Sequence, residues 1–148
     1  MSGTLRERAL RLLARREHAR AELARKLSPH ANSAEELGAL LDDLVARHLL
    51  SDERYVETRM HARSERLGNA RLASELRNQG ISTALTNAAL ATCAPELTRA
   101  RRVWQLKYGS KPGTTGAAEH ARQVRFLMSR GFPGEVIRRV LRGDCEDD

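Results

Sequence analysis

The sequence predicts an all-α protein: a tandem array of three three-helix, helix-turn-helix-like modules, elongated and curved. Three observations predict it. Apolar residues recur at helical spacing nearly everywhere, and no alternating strand pattern competes. Ser, Thr, Pro and Gly stand where helices should begin and end. One segment repeats at an offset of 51 residues.

In chain order, Leu5, Ala9, Leu12 and Leu13 form a first apolar stripe, opened by Thr4 and Glu7 as a capping box. Leu23 and Leu27 mark a short second helix that ends before Pro29. Ser33 and Glu36, another capping box, open a third helix along Leu37, Leu40, Leu41, Leu44, Val45 and Leu49, with His48 half-buried on its stripe. Ser51 caps a fourth helix, where Asp52 and Glu53 favour the helix dipole and Val56, Met60 and Leu67 supply the stripe. Gly68 reads as a stop and Asn69 as a new N-cap. Helix five carries Leu72, Ala73 and Leu76 and ends at Gly80; Ser82 starts helix six, with Leu85, Ala89 and Leu90. Pro95, at a first helical position, opens helix seven with Leu97, Ala100, Val103 and Trp104. Residues 109–116 form a Gly-rich linker, and Ala121, Val124, Leu127 and Met128 mark helix eight. Helix nine starts near Pro133 and carries Val136, Ile137, Val140 and Leu141. The reading is nine helices.

The repeat aligns Leu76, Gly80 and Ile81 with Leu127, Gly131 and Phe132, and Leu85, Ala89 and Leu90 with Val136, Val140 and Leu141. Its logic is a helix, a glycine free to turn left-handed, an apolar residue, then a short helix. The first module follows it less closely, because its second helix lacks the glycine. The expected modules are 1–50, 51–93 and 94–143, followed by an acidic tail at 144–148. A module of this size buries too little surface alone, so neighbours should stack.

Charge is distributed in blocks. The chain of 148 residues carries a formal +7, and 23 of its 26 basic residues are Arg. Residues 1–30 hold eight Lys/Arg against three acids, while residues 31–53 hold one Arg against six acids. Residues 54–80, 96–115 and 116–143 are basic again, and the tail is acidic. No apolar stretch approaches the ~20 residues of a membrane span, and the N-terminus lacks a signal-peptide core. A soluble, cytoplasmic, bacterial-type protein is expected.

Catalysis is not expected. Cys93 and Cys145 are too far apart in sequence, and too few, for a structural zinc site, and read as reduced thiols. His18, His30, His48, His61 and His120 show no metal-ligand spacing. Asp42-Asp43 and Asp52-Glu53 are adjacent pairs that point apart on a helix, poor geometry for a two-metal site, and capping explains Asp52 and Glu53 better. The linker follows a helix and lacks a Gly-Lys pair, so it is not a phosphate-binding loop. No cofactor is implied.

The basic helix faces are the candidate sites. Arg8, Arg11 and Arg15 lie at i, i+3 and i+7 opposite the first leucine stripe. Arg59, Arg63 and Arg66 form a second face, followed by Arg71 and Arg77. Arg122, Arg125 and Arg130 stud helix eight, and Arg138, Arg139 and Arg142 helix nine. Aromatic residues are only 3%, so nucleic acid would be met through phosphates, with little sequence specificity.

The string Leu49-Leu50-Ser51-Asp52-Glu53-Arg54-Tyr55, followed by Gly68, Ala70, Arg71, Leu72, Leu76 and Gly80-Ile81, resembles the RecX family. The Ala9 to Leu13 stripe, Glu22-Leu23, Lys26-Leu27 and the closing Arg130-Gly131-Phe132 and Ile137 to Leu141 extend the resemblance over residues 5–142. It implies a cytosolic negative regulator of RecA, and a monomer is expected. Such proteins lie along the groove of the RecA–single-stranded-DNA filament and inhibit its extension, ATP hydrolysis, strand exchange and co-protease activity. Single-stranded DNA is then met weakly or through the filament. The alternative is a non-specific DNA-binding, helix-turn-helix-like protein. Two features depart from the family pattern: the acidic tail, and Ala19 at a helix start that often bears a capping hydroxyl, a loss of about 1 kcal/mol.

Overall fold

The computed structural model describes residues 3–109 and 116–143. Among these, nine α-helices and one 3-10 turn account for all regular structure, and no strand is present. The helices are α1 (Leu5–Arg15), α2 (Arg20–Leu27), α3 (Ala34–Ala46), α4 (Asp52–Arg63), α5 (Asn69–Asn78), α6 (Thr83–Ala91), α7 (Glu96–Tyr108), α8 (Ala117–Ser129) and α9 (Gly134–Arg142). The linker predicted at 109–116 falls between α7 and α8, and its residues 110–115, like the tail 144–148, lie outside the described residues.

Contacts divide the chain into two compact units, one of residues 1–58 and 76–86, the other of residues 59–75 and 87–148. In the first, Ala9 of α1, Leu23 and Leu27 of α2, and Leu40, Leu41 and Leu44 of α3 share a core that Leu50 closes. Leu44 is fully buried, worth about 2–3 kcal/mol relative to exposure. In the second, Leu97, Ala100 and Val103 of α7 meet Leu127 of α8 and Ile137 and Val140 of α9.

The predicted caps are present. Thr4 Oγ1 accepts from Glu7 N while Glu7 Oε1 accepts from Thr4 N, a complete capping box. Ser33, Ser51 and Ser82 hydroxyls accept from Glu36, Arg54 and Leu85 N–H groups. Glu36 departs from the reciprocal pattern, because its carboxylate reaches Asn32 instead of Ser33.

The repeat is visible as hydrogen bonds. After α5, Gly80 N donates to Arg77 O and Ile81 N to Leu76 O, with Gly80 at φ +78°. After α8, Gly131 N donates to Met128 O and Phe132 N to Leu127 O, with Gly131 at φ +92°. Both are Schellman turns, and glycine takes the left-handed position at no steric cost.

Four local expectations are corrected. His48 and Leu49 are not on the α3 stripe: α3 ends at Ala46, and His48 adopts φ 61° in a third Schellman turn, closed by Leu49 N to Leu44 O. His48 is therefore exposed rather than half-buried, and Val45 and Leu49 are more than 40% exposed. Next, α4 stops at Arg63, so Leu67 is buried beyond the helix and not along it. Third, Gly68 shows no left-handed φ. It is glycine because a Cβ there would overlap the Gly131 carbonyl, and Gly68 N donates to Arg130 O at 2.7 Å. Asn69 is accordingly inside α5 rather than its cap. Last, Pro95 is the N-cap of α7, one position earlier than expected.

Candidate functional site

The first unit places Arg8, Arg11 and Arg15 along one side of α1, facing Lys26 and Leu27 of α2 and His30 of the following turn. Together with Leu12 and Ala14 these residues line a groove of about 560 Å³ that contains no carboxylate. Arg8, Arg11 and Arg15 make no ion pair within 4 Å among the described residues. Arg11 does lie close enough to Glu7 to hold that carboxyl slightly further down. The main causes of its lowered pKa are the hydrogen bonds from Thr4.

The unit's other arginines are mostly occupied. Arg6 and Arg47 pair with Asp43, Arg16 with Glu22, Arg20 with Asp42 and Arg54 with Glu17. Arg25 donates to Gln79. Arg77 is exposed, without an ion pair to a described residue. Beneath this surface lies His18, 1% exposed, with Nδ1 3.1 Å from Arg16 O and Nε2 3.0 Å from Lys26 Nζ. Since an ammonium only donates, Nε2 accepts, and Nδ1–H donates to the Arg16 carbonyl. Burial depresses the His18 pKa, and the charges of Arg16 and Lys26 act in the same direction.

In the second unit the predicted basic face around α4 is partly neutralised from within. Arg63 grips Glu75 through two hydrogen bonds of 2.7 and 2.8 Å. Arg71 lies 3.4 Å and Arg59 4.0 Å from the same carboxylate. Arg71 also donates to Ser129 O. Burial pushes the Glu75 pKa up, but the Arg63 hydrogen bonds and the three positive charges outweigh it and hold it low. Arg66 is exposed, unpaired among the described residues, and sits past the end of α4, so Arg59, Arg63 and Arg66 do not share one helical face.

A buried cation was not foreseen. Arg99, 3% exposed, has no carboxylate partner among the described residues; its guanidinium donates to Leu67 O at 2.6 Å, Ala94 O at 2.9 Å and Asn69 Oδ1. It ties the start of α7 to the segment that precedes α5, a structural use of charge.

Further along the same unit, Arg122 pairs with Glu119, and Arg125 and Arg138 are exposed and unpaired among the described residues. Arg130 stacks over Phe126 at 5.0 Å, with Lys107 over the same ring at 4.3 Å. Trp104, Tyr108 and Phe126 are clustered, and Trp104 Nε1 donates to Gln123. Arg139 is half-buried and Arg142 exposed, each with partners in the fold. Among the described residues, no group of three or more His, Cys, Asp or Glu converges, and no helix is long and apolar enough to cross a membrane.

Residues 95–141, the helices α7 to α9, match the family described as RecX, third three-helix domain. The whole chain is 51% identical over 147 residues to a regulatory protein RecX of Leptothrix cholodnii, covering 98% of this chain and 92% of that one. The chain belongs to the RecX family. A regulatory protein RecX of Chromobacterium violaceum is 43% identical over 98% of this chain and 93% of its own. The fold is that of RecX from Lactobacillus salivarius, whose crystal structure superposes with a TM-score of 0.75 at 16% identity, covering 94% of this chain and 93% of that one. RecX-family relatives are named as regulators, and a regulatory role follows for this chain.

Sequence reasoning set Arg8, Arg11 and Arg15 opposite the leucine stripe of α1; in this RecX-family chain Leu12 of that stripe lines the same groove, and Lys26 and His30, which complete it, were not foreseen. Lys26 precedes Leu27 on the α2 stripe, and the pair Lys26-Leu27 is also part of the family resemblance. Glu75 was missed as a hub for arginines, because its partners on α4 come from an earlier helix.

Proposed function

We propose that this protein is a negative regulator of RecA that binds along the groove of the RecA–single-stranded-DNA filament. It inhibits filament extension and with it ATP hydrolysis, strand exchange and co-protease activity. It acts as a cytoplasmic monomer, without catalysis, its helices working as the modules 1–50, 51–93 and 94–143. The observation that carries this reading is the near-full-length likeness to proteins named regulatory protein RecX. The surplus of guanidinium groups supports it. Arg8, Arg11, Arg15, Arg66, Arg77, Arg125 and Arg138 have no carboxylate partner among the described residues, as a surface awaiting a polyanionic or acidic fibre requires.

The test adds the purified protein to RecA, ATP and single-stranded DNA and follows ATP turnover. Inhibition is expected at protein levels well below RecA, because blocking extension of a polymer needs few molecules. Full turnover under those conditions sinks the reading. Charge reversal at Arg63 would confound the test with loss of the Glu75 pair. Arg66→Glu and Arg77→Glu, made separately, are the cleaner probes, each expected to weaken inhibition with the melting temperature retained.

A further inference from the structure

We propose that the groove between α1 and α2 is a binding site for a run of adjacent phosphate groups. This goes beyond the filament reading, because it assigns a ligand to one cluster and does not require RecA.

The pairing pattern carries the inference. Residues 1–58 contain nine arginines. Five are held by carboxylates and Arg25 by Gln79. The three left over, Arg8, Arg11 and Arg15, are the three that line the groove. Arg11 and Arg15 are one helical turn apart, a like-charge spacing that costs stability rather than adding to it. A solvated convex face would explain scattered arginines; it does not explain why the unneutralised ones converge on a hollow. Lys26 adds a fourth cation, held in place by His18 Nε2 at 3.0 Å; it also pairs with Glu22 at 3.8 Å, a carboxylate that it shares with Arg16. The floor is apolar, from Leu12 and Leu27, and can seat sugar or base edges.

The spacing suits phosphates. From Arg8 to Arg15 the helix rises about 10 Å, so the three guanidiniums are spread over a length that suits more than one phosphate. The planar guanidinium fork matches phosphate oxygens in bidentate fashion. A volume of about 560 Å³ accommodates a nucleotide-sized group. The phosphates could come from a single polynucleotide strand or from a free nucleoside triphosphate, and the test separates them.

The full-length protein, without RecA, is titrated into fluorescent oligothymidylate and, separately, into ATP, with polyglutamate as a control polyanion. The parent is expected to bind at least one phosphate probe. For the strand, three contacts at a slope of about −0.7 each predict roughly 20-fold weaker binding from 50 to 200 mM salt. The combined variant Arg8→Gln, Arg11→Gln, Arg15→Gln is expected to lose about tenfold or more in affinity and most of the salt slope. The single variant Arg11→Gln, smaller in its effect on folding, is expected to lose several-fold, with melting curves taken for both. Preference for the strand identifies a polynucleotide site, and equal or better binding of ATP a nucleotide site. Absence of binding to both probes, unchanged binding by the triple variant, or equal capture of polyglutamate overturns the proposal. RecA ATPase inhibition measured on the same variants keeps the two readings separate: a variant that loses phosphate binding but still inhibits supports this site and removes it from filament recognition.

Discussion

The Asp52 carboxylate accepts a hydrogen bond from the backbone N–H of Arg20 at 2.7 Å, across 32 residues of sequence. Ala19, which precedes Arg20, has no side chain to cap α2. Its own N–H is met by Glu22 Oε1, and the next donor by Asp52 from the first turn of α4. The second unit repeats the device: Glu96 of α7 accepts from Asn69 N, the first residue of α5, at 2.8 Å. In both cases an acid in the first turn of its own helix satisfies an orphan donor of another. The missing hydroxyl at Ala19 is thereby offset. Asp52→Ala is expected to cost about 1–2 kcal/mol, a fall of about 3–6 °C in melting temperature for a chain of this size. Asp52→Asn, whose amide oxygen can still accept, should lose less. Identical melting of parent and Asp52→Ala would show the contact to be dispensable.

Glu75 is the carboxylate around which Arg59, Arg63 and Arg71 gather. Glu75→Gln leaves three guanidiniums without their common counter-charge, and a destabilisation of about 2 kcal/mol is expected from chemical denaturation. The pH response has a definite sign. The folded pKa of Glu75 is held below the ordinary value of 4.5, so its stabilisation is complete above that value and is lost as pH falls through the lowered one. The variant should therefore lose part of the parent's acid sensitivity below about pH 4.5; parallel curves for the two proteins would count against the hub.

Two glycines should respond in opposite ways. Gly68→Ala forces a methyl group onto the Gly131 carbonyl, backbone that cannot step aside cheaply, and is expected to cost about 2–3 kcal/mol. Gly38 lies inside α3, and a methyl group added there would meet nothing within 4 Å. Gly38→Ala should stabilise by about 0.5–1 kcal/mol through helix propensity. Thermal melting decides both, and a stabilised Gly68→Ala would refute the close approach.

His18 is buried neutral, its pKa lowered chiefly by burial. Above pH 6.5 neither folded nor unfolded chain binds a proton there. Below it the unfolded chain does and the folded chain resists, so stability declines from pH 6.5 down to the depressed folded value. The decline is at most about 1.4 kcal/mol per pH unit. Melting temperatures between pH 7 and pH 5 should show it in the parent, and His18→Gln should flatten that part of the curve. A parent curve already flat there would mean the ring accepts its second proton in place.

The helix starts were legible residue by residue. Thr4, Ser33, Ser51 and Ser82 each cap the helix assigned to them, because a cap is a contact over two or three residues and needs no tertiary partner. The glycine turns after α5 and α8 were legible for the same reason. His48 misled, since an apolar flank at helical spacing does not announce a left-handed turn at a non-glycine residue.

By itself the sequence determined an all-helical chain, its order of helices, its repeat at an offset of 51 and its surplus of arginine. Those properties rest on neighbours within one or two helical turns, where spacing and side-chain chemistry leave little choice. Tertiary structure alone decided which arginines are neutralised. Arg63 meets Glu75 and Arg54 meets Glu17 across 12 and 37 residues, whereas Arg8, Arg11 and Arg15 meet none within 4 Å among the described residues. Pairing depends on where packing of the apolar stripes carries each charge, and the same residue type is buried, bridged or free according to that placement.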